Sequence, residues 1–220
     1  MAKALDHHHY RKILYEIFYE VGTLRSYMKG NMIYQTGSMS DAAYVVKQGR
    51  VRLFRVSSEG KEIIFRIVSP REGFGFSDLI SNDNRSRCAM VMQDRTELCV
   101  VEKEQLIKLL KTNTDLCYAT AFLQAQYLHR YQTIAADMAN LTVKNRVIQL
   151  LFRLTQDYGR IMADHIVIDM YFTHEEIANM VGTSRQTVTS IINDLRDSGF
   201  LSWEQKNIKI HKLNFLDSAE

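Results

Sequence analysis

The residues best suited to chemistry are polar side chains that recur at helical spacing near the carboxyl-terminal end of the chain. Arginine can donate two hydrogen bonds to guanine, glutamine or asparagine can pair with adenine, and a threonine methyl can contact thymine. Such a stripe needs aliphatic residues on the opposite side of the helix to hold it in place. It consists here of Arg185, Gln186, Thr189, Ser190 and Asn193. This pattern predicts contacts with the bases and phosphates of double-stranded DNA.

Two short helices joined by a glycine are expected to position this stripe. Thr173 and Glu176 have the spacing of a capping box, in which a hydroxyl and a carboxylate satisfy the free NH groups that open a helix. Thr183 and Gln186 repeat that spacing, and Gly182 supplies the backbone freedom for a sharp turn between them. The arrangement predicts a helix-turn-helix whose second helix enters the major groove.

The predicted DNA contacts combine the polar stripe with the residues that open the two helices. A helix pair that merely packs in a small core is the alternative, but it needs neither two capping boxes around a glycine nor an almost uncharged polar face. Beyond the pair, alternating apolar residues predict the hairpin of a winged helix, with Trp203 as a core residue beneath it. The predicted DNA-binding residues are Thr173, Thr183, Ser184, Arg185, Gln186, Thr189, Ser190 and Asn193.

Net charge gives the DNA prediction little support. Residues 142–220 carry nine lysines and arginines against ten aspartates and glutamates. Positive potential must therefore be local, from helix amino termini, whose aligned NH groups favour phosphate, and from a few side chains. Those side chains are Arg185, Lys206, Lys209 and Lys212.

Composition narrows the class of protein. A chain of 220 residues with 46% hydrophobic content can form two domains. No apolar run approaches the roughly 20 residues that span a bilayer, and the first residues lack the apolar block of a signal peptide, so a cytoplasmic location is predicted and no membrane partner. Cys88, Cys99 and Cys117 are widely separated and odd in number, which indicates neither a disulfide framework nor a zinc site. No metal site is predicted.

The amino-terminal part has the glycine spacing and strand composition that are typical of a small β-barrel. Glycines mostly seven to thirteen residues apart separate segments rich in β-branched and aromatic residues. A metal-dependent barrel enzyme would need histidine ligands, yet no histidine lies between His9 and His129. No catalytic function is therefore predicted. The clearest strands are expected at 44–47, 50–56, 62–68, 87–92 and 98–101.

Apolar residues at helical spacing predict two further helices outside the strands. One runs from Tyr10 to Val21 and leaves His7 to His9 outside the fold, and a long one runs from Asp115 to about Asn140. The apolar seam of the long helix can pack on its own barrel and on a second copy, which predicts a homodimer. The predicted dimer interface comprises Leu123, Tyr127, Ile134, Met138 and Leu141.

The order of these parts resembles the Crp-Fnr family of bacterial transcription regulators from about Leu24 to Leu213. The resemblance implies an α+β fold with an effector-binding β-barrel of the double-stranded β-helix type at 1–114, a dimerisation helix at 115–141 and a winged helix-turn-helix at 142–220. It also implies a pseudo-palindromic promoter site and RNA polymerase as a partner. The segments that carry it are KGNMIYQTGSMSDAAYVVKQGRVRLF, SSEGKEIIFRIVSPREGFGF, NRVIQLL and FTHEEIANMVGTSRQTVTSIINDLRDSGFL.

The recognition helix departs from the family at two positions. Gln186 stands where glutamate is common, and Ser190 stands where arginine is common. Because glutamate accepts from cytosine whereas glutamine prefers adenine, the half-site is expected to differ from that of the best-known members.

The effector site departs further from the cyclic nucleotide binders of the family. Of their glycine-glutamate and arginine-serine pairs, only the glycine and the arginine are matched, because Phe76 and Cys88 stand in the other two places. Cyclic AMP is therefore not expected, and no cysteine precedes Cys88 to hold the iron-sulfur centre of the oxygen-sensing branch. The predicted effector-binding residues are Gly75, Arg87, Cys88, Tyr127 and Tyr131.

A small-molecule effector, an anion or an aromatic compound, remains, with Arg87 as its charged contact. Haem held by Cys88, His129 or Met138 stays open as an alternative cofactor. The runner-up function is a ligand-binding signalling module whose winged helix contacts protein instead of DNA, and the third is a barrel enzyme.

Overall fold

The computed structural model describes residues 2–204 and 207–211. Contacts divide the chain into two units, Met1–Thr133 and Ile134–Glu220, with the boundary inside the long predicted helix. The first unit contains α1 (Ala2–Val21), β1 (Thr23–Tyr27), β2 (Met32–Tyr34), β3 (Ala42–Gln48), β4 (Val51–Val56), β5 (Glu62–Val68), β6 (Gly73–Phe74), α2 (Phe76–Ile80), β7 (Cys88–Val91), β8 (Thr96–Glu102), α3 (Lys103–Thr112) and most of α4 (Thr114–Asn140). The second contains the end of α4, α5 (Val143–Tyr158), β9 (Gly159–Ile161), β10 (His165–Ile168), α6 (His174–Val181), α7 (Arg185–Asp197), β11 (Leu201–Trp203) and β12 (Ile208–His211).

The β-rich domain consists of two four-stranded sheets, in the orders β1-β8-β3-β6 and β2-β7-β4-β5. Strand β3 shows why two cores form, since its successive side chains point to opposite faces. Tyr44 and Val46 pack in the core between the sheets, whereas Ala43 and Val45 belong to a second core with the helices. The predicted β domain is confirmed, as two facing sheets instead of a closed barrel. The five predicted strands correspond to β3, β4, β5, β7 and β8.

Helix α1 is part of the β domain's helical core. Leu14 and Phe18 are at most 2% exposed and share this core with Leu116 and Leu123 of α4. The predicted helix is confirmed but begins earlier, at Ala2, so the histidines at 7–9 belong to it. Leu123 is 2% exposed within its own unit and offers no surface to a second copy, so its predicted place in a dimer interface is wrong.

The second unit packs α5 and α7 against the sheet β11-β12-β10-β9, and α6 packs on those two helices. The predicted hairpin is confirmed, with Leu201 opposite Ile210 and Trp203 opposite Ile208. Within the described residues, none of the helices has the length and apolar character needed to cross a bilayer.

Candidate nucleic-acid interface and effector cavity

The first helix of the predicted pair begins with the expected capping box. The hydroxyl of Thr173 accepts a hydrogen bond from the backbone N–H of Glu176 at 3.1 Å, and the Glu176 carboxylate accepts from the backbone N–H of Thr173 at 2.8 Å. Gly182 ends the helix with a φ of 72°, which favours glycine. The polar groups of Thr173 are therefore used inside the cap, so its predicted DNA contact stays a prediction.

The second helix begins one residue later than the sequence spacing indicates. Its cap is Ser184, whose hydroxyl accepts from the backbone N–H of Thr187 at 3.1 Å. The capping box predicted for Thr183 and Gln186 is wrong. Because Gln186 has no capping role, its amide remains exposed on the first turn of α7.

Helix α7 separates its two faces as predicted. Its inner side chains are at most 8% exposed and hold the helix to the domain core; they are Val188, Ile191, Ile192 and Leu195. The outer side chains of Arg185, Gln186, Ser190 and Asn193 are exposed, as is Ser184, while Thr183 and Thr189 are half-buried. The structure therefore brings most of the predicted DNA-binding residues onto one accessible surface.

A residue that the sequence analysis missed, His174, joins α6 to α7 and to the wing. Its Nδ1 lies 2.9 Å from the hydroxyl of Thr189, and its ring meets the Trp203 ring edge-on, with centroids 4.9 Å apart and an interplanar angle of 89°. Burial lowers the pKa of His174, and the positive charge of Arg185 lowers it further. No local pattern indicates this contact, because its partners lie 15 and 29 positions away.

The side chains predicted to supply positive potential differ in whether a nearby carboxylate offsets their charge. Arg185 is exposed at the start of α7. Lys209 pairs with Glu204 at 2.8 Å across the wing hairpin, which reduces its contribution to the local potential. Lys206 and Lys212 lie outside the described residues.

In the first unit, a cavity of about 40 Å³ lies between strands of both sheets, α2 and α4. Four of the five predicted effector-binding residues line it: Gly75, Arg87, Tyr127 and Tyr131. The fifth, Cys88, is not among the lining residues, and its sulfur accepts a hydrogen bond from the Thr36 backbone N–H at 3.4 Å. Cys88 is therefore engaged elsewhere in the domain.

The sequence analysis missed one charged residue that lines this cavity, Arg66 on β5. Its guanidinium lies 3.9 Å from the centroid of the Tyr127 ring and donates to the carbonyl of Gly73. Its Nε is buried and has no hydrogen-bond partner among the described residues. A signal was present, because Arg66 lies two positions before buried Val68 on the same strand and so shares its inward face, where a charge is unusual.

Two other features define what the cavity offers a ligand. Arg87 places its Nη1 3.5 Å from the hydroxyl of Tyr131 on α4. Phe76, at the position where the resemblance places a ribose-binding glutamate, is 2% exposed and packs against Phe18 in the helical core, with ring centroids 5.5 Å apart. The cavity therefore combines two arginines with aromatic walls and the carboxyl group of Asp78, and it lacks a carboxylate at the Phe76 position.

Comparison with known proteins identifies both units. Residues 24–113 match the cyclic nucleotide-binding domain family, and residues 145–219 match the Crp-like helix-turn-helix domain family. The chain belongs to the Crp-Fnr family of transcription regulators. As a Crp-Fnr regulator, it is an effector-responsive protein that binds DNA through a helix-turn-helix.

Relatives span nearly the whole of this Crp-Fnr chain. It is 28% identical to the cyclic AMP receptor protein of Thermus thermophilus over 195 residues, covering 88% of this chain and 86% of the relative. It is 26% identical to the global nitrogen regulator of Nostoc over 208 residues, covering 91% and 93%. The structure of FixK2 from Bradyrhizobium japonicum shares the fold, with a TM-score of 0.79 at 19% identity, covering 91% of this chain and 98% of that one.

Proposed function

We propose that the protein controls promoters as a homodimer that places one α7 from each copy in successive major grooves of an inverted repeat. The observation that carries this proposal is the exposed polar stripe of α7, held by a buried aliphatic face. A symmetric dimer reads a symmetric site, with half-sites about one helical turn, roughly 34 Å, apart.

Base recognition is proposed for the first turns of α7. Arg185 suits guanine, and Gln186 suits adenine because its amide offers one donor and one acceptor. Ser190 stands where a longer cationic side chain is common. The bases next to those contacted by Arg185 and Gln186 are therefore reached by a shorter side chain. The half-site therefore differs from one read by glutamate and arginine at these positions.

Dimerisation is proposed through a surface of α4 other than the one predicted from the sequence. Five small or apolar side chains and one glutamine recur at alternating steps of four and three on its exposed side, the spacing of a coiled-coil interface. We name this surface the α4 seam; it comprises Ala121, Ala125, Leu128, Gln132, Ala135 and Ala139, all exposed. Leu128 is 58% exposed and is its largest apolar side chain. Ile134, Met138 and Leu141 stay predictions, and Tyr127 instead contacts Arg66.

The proposed effector is a compact anion bound between Arg66 and Arg87. Two guanidiniums favour carboxylate or phosphate oxygens, and the unpaired Nε of Arg66 is a buried donor that such an oxygen would satisfy. The cavity holds only a few waters at about 10 to 15 Å³ each, so a cyclic nucleotide does not fit without rearrangement. An anion that draws Arg87 from Tyr131 or Arg66 from Tyr127 changes contacts of α4, the helix that also carries the seam.

Further elements of the proposal follow from this function. A promoter-bound regulator acts in the cytoplasm, needs no catalytic chemistry of its own and works through RNA polymerase. Ile161 and Met162, at the tip of the β9–β10 hairpin, are 75% and 49% exposed and give the second unit an apolar surface suited to a protein partner.

The test of DNA recognition is selection of bound duplexes from a random pool, followed by substitution. We expect an inverted repeat, bound with an affinity that falls about a thousandfold between 50 and 200 mM salt if roughly six phosphates are neutralised. Arg185→Ala and Gln186→Ala are each expected to cost about 1 to 3 kcal/mol of binding free energy and to relax preference at one base pair.

Arg160→Ala is the matched control, since Arg160 is 74% exposed and its charge already pairs with Asp169 at 2.8 Å. It should bind the selected site like the parent. Equal and weak affinity for every duplex, or unchanged binding by both α7 variants, contradicts the proposed use of α7.

A further inference from the structure

The contact between His174 and Thr189 bears on how α7 recognises bases. Thr189 lies on the outer stripe of α7, between Gln186 and Ser190, yet its hydroxyl is not free. It donates to the backbone carbonyl of Arg185 at 2.9 Å and lies 2.9 Å from Nδ1 of His174. Both polar contacts of this side chain are therefore made within the protein.

The direction of the second hydrogen bond follows from the first. A hydroxyl carries one hydrogen, and that of Thr189 is donated to the Arg185 carbonyl. Both contacts of the hydroxyl are hydrogen bonds at the same time only when His174 is the donor, through Nδ1–H. The imidazole therefore supplies a fixed N–H that the hydroxyl oxygen accepts.

This bond selects one rotamer of Thr189. In a helix, threonine divides between two χ1 rotamers, because its hydroxyl can bond to a carbonyl of the preceding turn. The bond from His174 holds the hydroxyl toward α6, so the methyl is the part of the side chain that makes no polar contact within the protein. His174 itself is held by Trp203, whose ring it meets edge-on at 4.9 Å.

We propose that His174 is a positioning residue for base recognition, which holds the Thr189 methyl against the 5-methyl group of one thymine in each half-site. The inference rests on the proposed use of α7 as the recognition helix. Its chemistry is apolar contact with thymine, which a threonine methyl can provide once its hydroxyl is turned away from the groove. His174 does not touch the base and acts only through Thr189.

The experiment replaces each thymine of the selected operator, one at a time, with deoxyuridine, which lacks only the 5-methyl group. For the unmodified protein, one position per half-site is expected to lower affinity about fourfold, the loss typical of one buried methyl group. The quantity compared is the affinity ratio between thymine and deoxyuridine duplexes for the same protein variant. This ratio is insensitive to changes in overall binding or stability.

Two substitutions of His174 separate its contacts. His174→Phe keeps a ring against Trp203 but has no N–H, so the ratio at that position is expected to fall to about one. His174→Asn keeps an N–H donor near the place of Nδ1 without the ring, and it is expected to retain most of the ratio. His165→Phe, on the wing sheet, is the control and should keep the full ratio.

The outcomes distinguish this inference from the function on which it rests. A full ratio in His174→Phe, or no thymine position with a penalty in the unmodified protein, overturns the role of His174 even if Arg185→Ala weakens binding. If Arg185→Ala also binds like the parent, α7 is not the recognition helix and the proposed function itself fails.

Discussion

Arg66, an inward-facing charge, together with Arg87 defines what the β domain is expected to bind. Its guanidinium lies over Tyr127, a phenol whose pKa is raised by burial and which therefore stays neutral. We expect Arg66→Met and Arg87→Met to abolish stabilisation by compact anions. Thermal unfolding with inorganic phosphate and with succinate measures this, because a ligand at 100 times its Kd stabilises the folded state by about 2.7 kcal/mol.

Arg55→Met is the control for that measurement, since Arg55 is an exposed arginine on β4. Without anion, Arg66→Met should keep most of the parent's stability, because the loss of the bond to the Gly73 carbonyl and of the contact with Tyr127 is offset by the removal of a buried Nε that has no partner among the described residues. An anion response that survives both cavity substitutions rules out the proposed effector site.

At the scale of elements, the N-cap of α7 lies one residue later in the structure than the sequence spacing predicts. Ser184, not Thr183, caps α7 by accepting a hydrogen bond from the backbone N–H of Thr187. Ser184→Ala is expected to lower the free energy of unfolding of the second unit by about 1 kcal/mol, the usual cost of an N-cap, and Thr183→Ala by clearly less. Urea unfolding of both variants measures the difference. Equal losses would show that the start of α7 is placed wrongly.

For the whole molecule, function depends on assembly through the α4 seam. Leu128→Glu places a charge in the proposed interface and is expected to give a monomer by analytical ultracentrifugation. Operator affinity should fall at least about tenfold, because each half-site is then bound independently. Gln126→Glu adds the same charge at an exposed position beside the seam and should leave the dimer intact. A dimeric Leu128→Glu variant places the interface elsewhere.

Much of the fold was predictable because it depends on the spacing of residues that are close together in the chain. The capping box at Thr173, the glycine turn at Gly182 and the apolar stripe of α7 need only neighbours within a few positions. The main strands of the β domain follow from alternation and glycine spacing in the same way. Short strands such as β6, with two residues, carry too little pattern to be recognised.

The sequence by itself therefore determined the helix-turn-helix, the long helix, the β domain and the resemblance that joins them. Only the tertiary structure decided that Leu123 faces its own core, that Phe76 turns into the helical core, and that His174 reaches Thr189. The physical reason is that periodicity shows that a face is apolar but not which surface covers it. A side-chain contact between distant positions likewise exists only once packing brings their backbones together.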